Sequence, residues 1–67
     1  MKNGLDILNA GLKQGYIYTG GYVGGYHEYF GKASDGVTVH LGMSDEKGNP
    51  SKQLLSYLEK HPNPTDW

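Results

Sequence analysis

Apolar residues near the N-terminus recur at helical spacing. They lie three and four positions apart, at Leu5, Leu8 and Leu12. This spacing is typical of one face of an α-helix. Asn3 is a suitable N-cap and Gly15 a suitable stop, so the pattern predicts a helix over roughly residues 4–14. Gly11 weakens this helix by about 1 kcal/mol relative to alanine. Such a glycine often marks close packing against a neighbouring element, which is what we expect here.

The middle of the chain is rich in β-branched and aromatic residues. They fall into three segments, at residues 15–19, 26–30 and 37–41. A wide glycine-rich turn over residues 20–25 is expected between the first two segments. Asp35-Gly36 is a strong hairpin signal between the last two. The pattern therefore predicts a three-stranded antiparallel meander.

A second apolar stripe, of Leu54, Leu55 and Leu58, predicts a closing helix. Asn49-Pro50 is expected to supply its N-cap and first helical residue, and the helix must end before Pro62. Residues 62–67 form a Pro-interrupted tail. Its Trp67 is expected to cover part of the core or to hang free, with docking of a partner as the alternative.

The order α-β-β-β-α predicts an α+β fold, in which two helices pack on one face of a three-stranded antiparallel sheet. We expect one domain over residues 1–61, followed by the Pro-rich tail at 62–67. With 67 residues, the chain is near the lower limit at which a hydrophobic core alone sustains a fold.

Composition narrows the function classes. The chain has no cysteine, no secretory signal and no apolar run long enough to cross a membrane, so a cytoplasmic protein is expected. The formal net charge is −1, and all six cations are lysines. This balance counts against a broad nucleic-acid surface, because such surfaces are usually basic and rich in arginine.

No metal or other cofactor is expected. The histidines, His27, His40 and His61, are thirteen and then twenty-one positions apart, which matches no zinc pattern. The glycines of GGYVGGYHEYF at residues 20–30 are followed by neither Lys-Ser/Thr nor a helix, so they form no phosphate-binding loop. The tyrosines either make cross-strand pairs that thicken a thin core, or form an exposed face for RNA bases or a protein.

The order and spacing of these motifs resemble those of HicA toxins, small ribonucleases of toxin–antitoxin modules. Gly15-Tyr16 is similar to the family's glycine-aromatic step into the first strand. Residues 25–30, GYHEYF, resemble its glycine-serine-histidine motif, with Tyr26 in place of the serine. Asp35-Gly36 and the strand after it match the family's turn and third strand. The similarity covers roughly residues 4–60 and implies a fold like that of double-stranded-RNA-binding domains.

The resemblance implies an mRNA-cleaving endoribonuclease that needs no metal and is held in check by a HicB-type antitoxin. His27 is then the general acid or base, since imidazole titrates near neutral pH. Lys32 is a candidate phosphate contact, and Gly24 and Gly25 would admit the RNA backbone. The aromatic rings at residues 26 and 29, Tyr26 and Tyr29, are candidates to stack an unpaired base.

A second class of function stays open. The near-neutral charge and the absence of arginine favour a non-catalytic protein of a phage or mobile element, which binds and inhibits a host protein. In that case His27 is an ordinary strand histidine. His40 and His61 are expected to be a strand histidine and a cation at a helix C-terminus.

Overall fold

In a computed structural model of the chain, the described residues are 3–67, with Tyr22 and Val23 described by their backbone alone. The first two residues of the predicted domain lie outside this part. The elements run in the order α1 (Gly4–Gln14), β1 (Ile17–Val23), β2 (Tyr26–Lys32), β3 (Thr38–Met43), α2 (Lys52–Lys60) and a 3₁₀ turn (Pro64–Asp66). The three strands form one antiparallel sheet in the order β1-β2-β3. The predicted α+β class is confirmed.

Both ends of α1 are confirmed as predicted. The Asn3 side chain accepts a hydrogen bond from the backbone N–H of Asp6 at 2.9 Å, which satisfies one of the free donors of the first turn. Gly15 ends the helix with φ 89°, and its N–H donates to the Gly11 carbonyl.

The buried face of α1 differs from the predicted leucine stripe. Leu5 and Leu12 are 46% and 41% exposed. The residues that are buried are Gly4, Ile7, Leu8 and Gly11. The helix is therefore rotated so that its two glycines face inward, because the neighbouring elements come too close for larger side chains.

Gly11 marks the predicted close packing, and Gly4 adds a second contact of the same kind. A Cβ built on Gly11 would collide with the Ile17 side chain of β1, and one built on Gly4 would collide with the Leu55 backbone of α2. The backbone of α1 thus lies directly against its two neighbours, which a helix with alanine at these positions could not do.

The first hairpin differs from the predicted wide glycine turn. Strand β1 continues through the glycines to Val23, and Gly24 and Gly25 alone make a two-residue turn with φ 60° and 89°. Positive φ at both central residues is typical of a type I′ hairpin turn. Gly21, with φ 68°, is the extra residue where the β1–β2 register shifts, so the surplus length is absorbed by a bulge.

A second bulge lies between β2 and β3. Tyr29 pairs with Gly42 and Phe30 pairs with His40, so Leu41 is an extra residue on β3. The bulge directs both Leu41 and Gly42 toward the helices. It also leaves His40 on the opposite face, which we call the outer face.

Helix α2 begins later than predicted. Ser51, not Asn49, is its N-cap, and the Ser51 Oγ accepts from the Leu54 N–H at 3.2 Å. Pro50 does not start the helix, because it forms an antiparallel bridge with Ser44 and so stays extended. The helix ends at Lys60, before Pro62, as predicted.

The core lies between the inner face of the sheet and the two helices. It consists of Ile7, Leu8, Ile17, Tyr29, Leu41, Leu54 and Leu58. Trp67 packs against this cluster, 5.9 Å from the Tyr16 ring centroid, and a Cβ on Gly31 would collide with its indole. The indole N–H donates to the His61 carbonyl at 2.8 Å, so the end of the tail covers the core.

We predict that Gly11→Ala destabilises the protein by about 1–2 kcal/mol. Alanine favours a helix by about 1 kcal/mol, but its methyl group would overpack the contact with the buried Ile17. Thermal or urea unfolding measures the change. Asn9→Ala, at an exposed position of α1, is the control and is expected to stabilise slightly. A stabilised Gly11→Ala variant would contradict the close contact.

Candidate functional site

His27 lies near the start of β2, two residues after the Gly24-Gly25 turn. Alternation along the strand places its side chain on the same side as Tyr29, which faces the helices. The side chain is nevertheless only partly buried. A Cβ on Gly48 would lie 3.9 Å from its Cδ2 atom, so the imidazole faces the segment that joins β3 to α2.

Ser44 holds the backbone of His27 from both directions. The His27 N–H donates to Ser44 Oγ at 2.8 Å, and the Ser44 N–H donates to the His27 carbonyl at 2.8 Å. Ser44 is 2% exposed, and its hydroxyl donates to the Asp45 carbonyl at 3.0 Å. The position of His27 is therefore set by a buried serine on the neighbouring strand.

The segment after Ser44 is organised by its own hydrogen bonds. The Asp45 carboxylate accepts from the N–H groups of Lys47 and Asn49, both at 2.9 Å. The backbone of Asp45 also pairs with Asn49, and Gly48 adopts φ 86° to close the turn. The wall beside His27 is thus an ordered turn that carries two carboxylates and one lysine at Asp45, Glu46 and Lys47.

Two of the other predicted site residues lie close to His27 along the chain, in an open hairpin turn. A Cβ on Gly24 or Gly25 would meet nothing within 4 Å, so the turn leaves room for a ligand. Tyr26 is adjacent to His27, but the alternation of the strand points its ring to the other face. Its hydroxyl donates to Glu46 Oε1 at 3.3 Å, and the nearby negative charge of Glu46 raises the pKa of the Tyr26 phenol.

Two of the predicted RNA contacts, Tyr29 and Lys32, do not form a common surface with His27. Tyr29 is 6% exposed and belongs to the core, so it has no ring face on which a base could stack. Burial, with a smaller effect of Asp45, raises the pKa of its phenol. Lys32 is exposed at the far end of β2, five residues from His27 and on the opposite face. At about 3.4 Å per residue, that is roughly 17 Å away along the strand.

A second cluster of chemically active side chains covers the outer face. Tyr18 stacks on Phe30 with ring centroids 5.8 Å apart, and His40 meets Phe30 in a T-shaped arrangement with centroids 5.4 Å apart. His40 Nε2 is 3.4 Å from Glu28 Oε1, an ion pair when the imidazole is protonated. The Tyr18 hydroxyl donates to the hydroxyl of Thr38 at 3.3 Å. We call these five residues the outer-face cluster.

Sequence reasoning missed both Ser44 and the pair of Glu28 with His40. Ser44 contributes only because it lies opposite His27, and this position is known only once the register between β2 and β3 is known. His40 reaches Glu28 because of the bulge at Leu41, and no residue pattern marks that bulge. The only local signal was the alternation of Thr38 and His40 in one strand, which places the two side chains on one face.

The described part of the chain holds neither a cluster of metal ligands nor a membrane-spanning helix. Among residues 3–67, no three histidine, aspartate or glutamate side chains come together as a metal site. No helix in this part is both long and apolar enough to cross a membrane.

Comparison with known proteins supplies no relative. A scan against protein-family models, a search of curated proteins and a search of solved structures each found no match. The similarity to HicA toxins therefore stays a hypothesis that rests on the motifs and on the order of the elements.

We predict that Ser44→Ala destabilises the protein by about 1–3 kcal/mol, because it removes the acceptor of a partly buried N–H. Urea unfolding measures the loss. Ser56→Ala, at an exposed position of α2, is the control and is expected to change stability by less than about 0.5 kcal/mol. Equal stability of the two variants would show that Ser44 does not hold His27.

We predict that Glu46→Gln lowers the pKa of the Tyr26 phenol toward its ordinary value. The variant removes the negative charge that opposes phenolate formation. Nuclear magnetic resonance with ring-labelled tyrosine resolves the titration. Glu59→Gln, on the exposed side of α2, should leave the Tyr26 titration unchanged. The same Tyr26 pKa in all three proteins would contradict the contact with Glu46.

Proposed function

We propose that this chain is a HicA-like endoribonuclease that cleaves mRNA without a metal ion, with His27 as its general acid or base. The observation that carries the proposal is the position of His27. It follows an open glycine turn, its backbone is held by Ser44, and its side chain is only partly buried. The order of helices and strands is the one that the resemblance implies.

A single histidine suffices for the chemistry. Neutral imidazole accepts the proton of a ribose 2′-OH, the 2′-oxygen attacks the adjacent phosphorus, and the bond to the 5′-oxygen breaks. The leaving oxygen takes a proton from water or from the imidazolium. The backbone hydrogen bonds to Ser44 support this role, because they limit movement of the strand that carries the imidazole.

The RNA contacts are fewer than the resemblance suggests. Gly24, Gly25 and Tyr26 stay in the proposed binding surface, since the turn is open and the partly buried Tyr26 ring, although it points to the outer face, directly follows that turn. Tyr29 is not part of this surface, because it is buried in the core. Lys32 is too far away to contact the same phosphate as His27. Lys47 takes its place as the proposed phosphate contact, because it lies next to Gly48 in the turn that faces His27.

The proposed partners follow from the same hypothesis. The substrate is mRNA in the cytoplasm, and a HicB-type antitoxin would bind the chain and cover His27. Asp45 and Glu46 lie in the turn beside the site, so a basic segment of such an antitoxin would meet favourable charges there.

The outer-face cluster favours a second function, non-catalytic binding of a host protein. Tyr18 is 43% exposed beside Phe30 and His40, on a sheet face that neither helix covers. Exposed aromatic side chains on a rigid sheet are typical binding anchors at protein interfaces. The low positive charge of the chain fits this alternative better than it fits a ribonuclease.

We predict that His27→Ala lowers the rate of RNA cleavage by at least about a hundredfold, because a general acid or base contributes roughly 10²–10⁴-fold. The assay uses purified protein with a chelator present, which should not reduce the wild-type rate. Induced expression should arrest growth with the wild type and not with the variant.

Two controls keep this test specific. His61→Ala removes the imidazole but keeps the backbone carbonyl that accepts the hydrogen bond from Trp67. This variant should therefore keep full activity. His27→Gln, checked for folding by circular dichroism, covers the case in which alanine unfolds the site. No cleavage by the wild type, or equal cleavage by all variants, would refute catalysis. Growth arrest that survives His27→Ala but not Tyr18→Ala would favour the host-protein function.

A further inference from the structure

Strand β3 leaves one edge of the sheet open. Antiparallel pairing alternates between hydrogen-bonded and non-bonded positions, and the bonds from Ala33 to Val37 and from Ser44 to His27 set that alternation along β3. The backbone N–H and C=O groups of Thr38 and His40 therefore point away from β2. Within residues 3–67, the sheet has no further strand on that side.

The far end of this edge is already covered by the chain itself. The Ser51 N–H donates to the Met43 carbonyl at 3.2 Å, and Pro50 forms a bridge with Ser44. This short extended segment occupies the position that an added strand would take. It shows that the edge accepts a neighbour, and it limits the open part to residues 38–41.

A groove runs beside the open edge, between β3 and α2. It is a cavity of about 630 Å³ lined by residues that include Tyr26, His40, Met43, Ser51, Gln53 and Tyr57. We call it the β3–α2 groove. An extended segment paired with β3 would direct every second side chain toward the helix side of this groove, beside Tyr57, and the others toward its outer-face side, beside His40.

A hollow on α2 that adjoins the groove carries positive charge. Lys52 and Lys60 line this hollow, which shares Gln53 and Tyr57 with the groove. Lys52 and Lys60 are eight residues apart on α2, or roughly 12 Å at about 1.5 Å per residue. Two side chains four residues apart on an extended strand are separated by roughly 13 Å, so they match this spacing.

The helix runs antiparallel to β3, so the two lysines stand at opposite ends of the open edge. Leu54, in the first turn of α2, packs against Gly42 near the end of β3. His61, after the last turn, holds Trp67, which packs on Gly31, the partner of Val39 near the start of β3. The lysines are therefore spaced along the direction in which an added strand would run.

We propose that β3 and the β3–α2 groove bind an extended acidic peptide as a fourth strand. Its backbone pairs with Thr38 and His40, and an apolar side chain enters the groove beside Tyr57. Carboxylates two residues before and two residues after that side chain meet Lys52 and Lys60. Glu46 lies at the Tyr26 end of the groove and repels a third carboxylate there, so the acidic pair also fixes the register.

This inference does not depend on the proposed ribonuclease function. The groove shares Tyr26 and Ser44 with the surroundings of His27. The open edge of β3 and the two lysines of α2 have no part in the proposed cleavage, and His27 has none in peptide binding. Loss of RNA cleavage therefore leaves the peptide proposal unchanged, and loss of peptide binding leaves the cleavage proposal unchanged.

Synthetic peptides test the proposal on the whole chain. Each peptide alternates threonine with apolar residues, and the central apolar residue varies from peptide to peptide. Glutamates replace the apolar residues two positions before and two positions after the central one, so they stand four positions apart. A matched series has lysines in place of the glutamates, and a third is acidic but N-methylated at the amides that face β3. Fluorescence anisotropy measures affinity, and nuclear magnetic resonance locates the site through the amide signals of Thr38 and His40.

We expect the best acidic peptide to bind at least about tenfold more tightly than its lysine counterpart. N-methylation should abolish binding, because it removes the donors that pair with the strand. The double variant Lys52→Glu/Lys60→Glu should reverse the preference, whereas the control Lys13→Glu, on α1, should not change it.

Several results would overturn the proposal. They are equal affinity for acidic and basic peptides, unaffected binding of the N-methylated series, or signals that move on Tyr18 and Phe30 rather than on β3. If no acidic peptide moves the Thr38 or His40 signals at millimolar concentration, the groove is not a peptide site. Dimerisation through β3, measured by sedimentation, would identify a second copy of the chain as the occupant instead.

Discussion

Close contact between backbones is the constraint on which the rest of this structure depends. A chain of 67 residues buries few large side chains, so its layers must approach closely to exclude water. Glycine makes that approach possible where α1 meets α2, where α1 meets β1 and where Leu54 of α2 meets β3, at Gly4, Gly11 and Gly42. At Gly31 the same absence of a side chain admits Trp67 from the tail. The leucines of the helices supply the apolar area, and the glycines decide how the elements are oriented.

The two bulges in the sheet determine where the two strand histidines, His27 and His40, are placed. Gly21 is the bulged residue of β1. Because of this bulge the hairpin closes through Gly24 and Gly25, and β2 begins just before His27. Leu41 is the bulged residue of β3. This bulge leaves His40 on the outer face, where it lies beside Glu28. Each bulge moves a histidine relative to its neighbours without changing the order of the strands. The two faces of the sheet consequently carry different histidines with different surroundings.

The segment from Ser44 to Ser51 borders both His27 and the β3–α2 groove. Its first residue fixes the backbone of His27, its turn faces the imidazole, and its last residue covers one end of β3 and caps α2. Composition alone describes it as a polar loop. Its function in the fold comes from hydrogen bonds of Asp45 that hold the turn and from Pro50, which stays extended beside β3.

The sequence by itself determined the element order, the fold class and both ends of α1, since these follow from local spacing, capping residues and turn chemistry. It also indicated that Gly11 marks a close contact. Only the tertiary structure decided which face of α1 is buried, where α2 begins, and that Tyr29 belongs to the core while Lys32 lies far from His27. These outcomes depend on register and on contacts between residues that are distant in the chain. A one-residue bulge changes the face to which a side chain points, and no local pattern encodes that change.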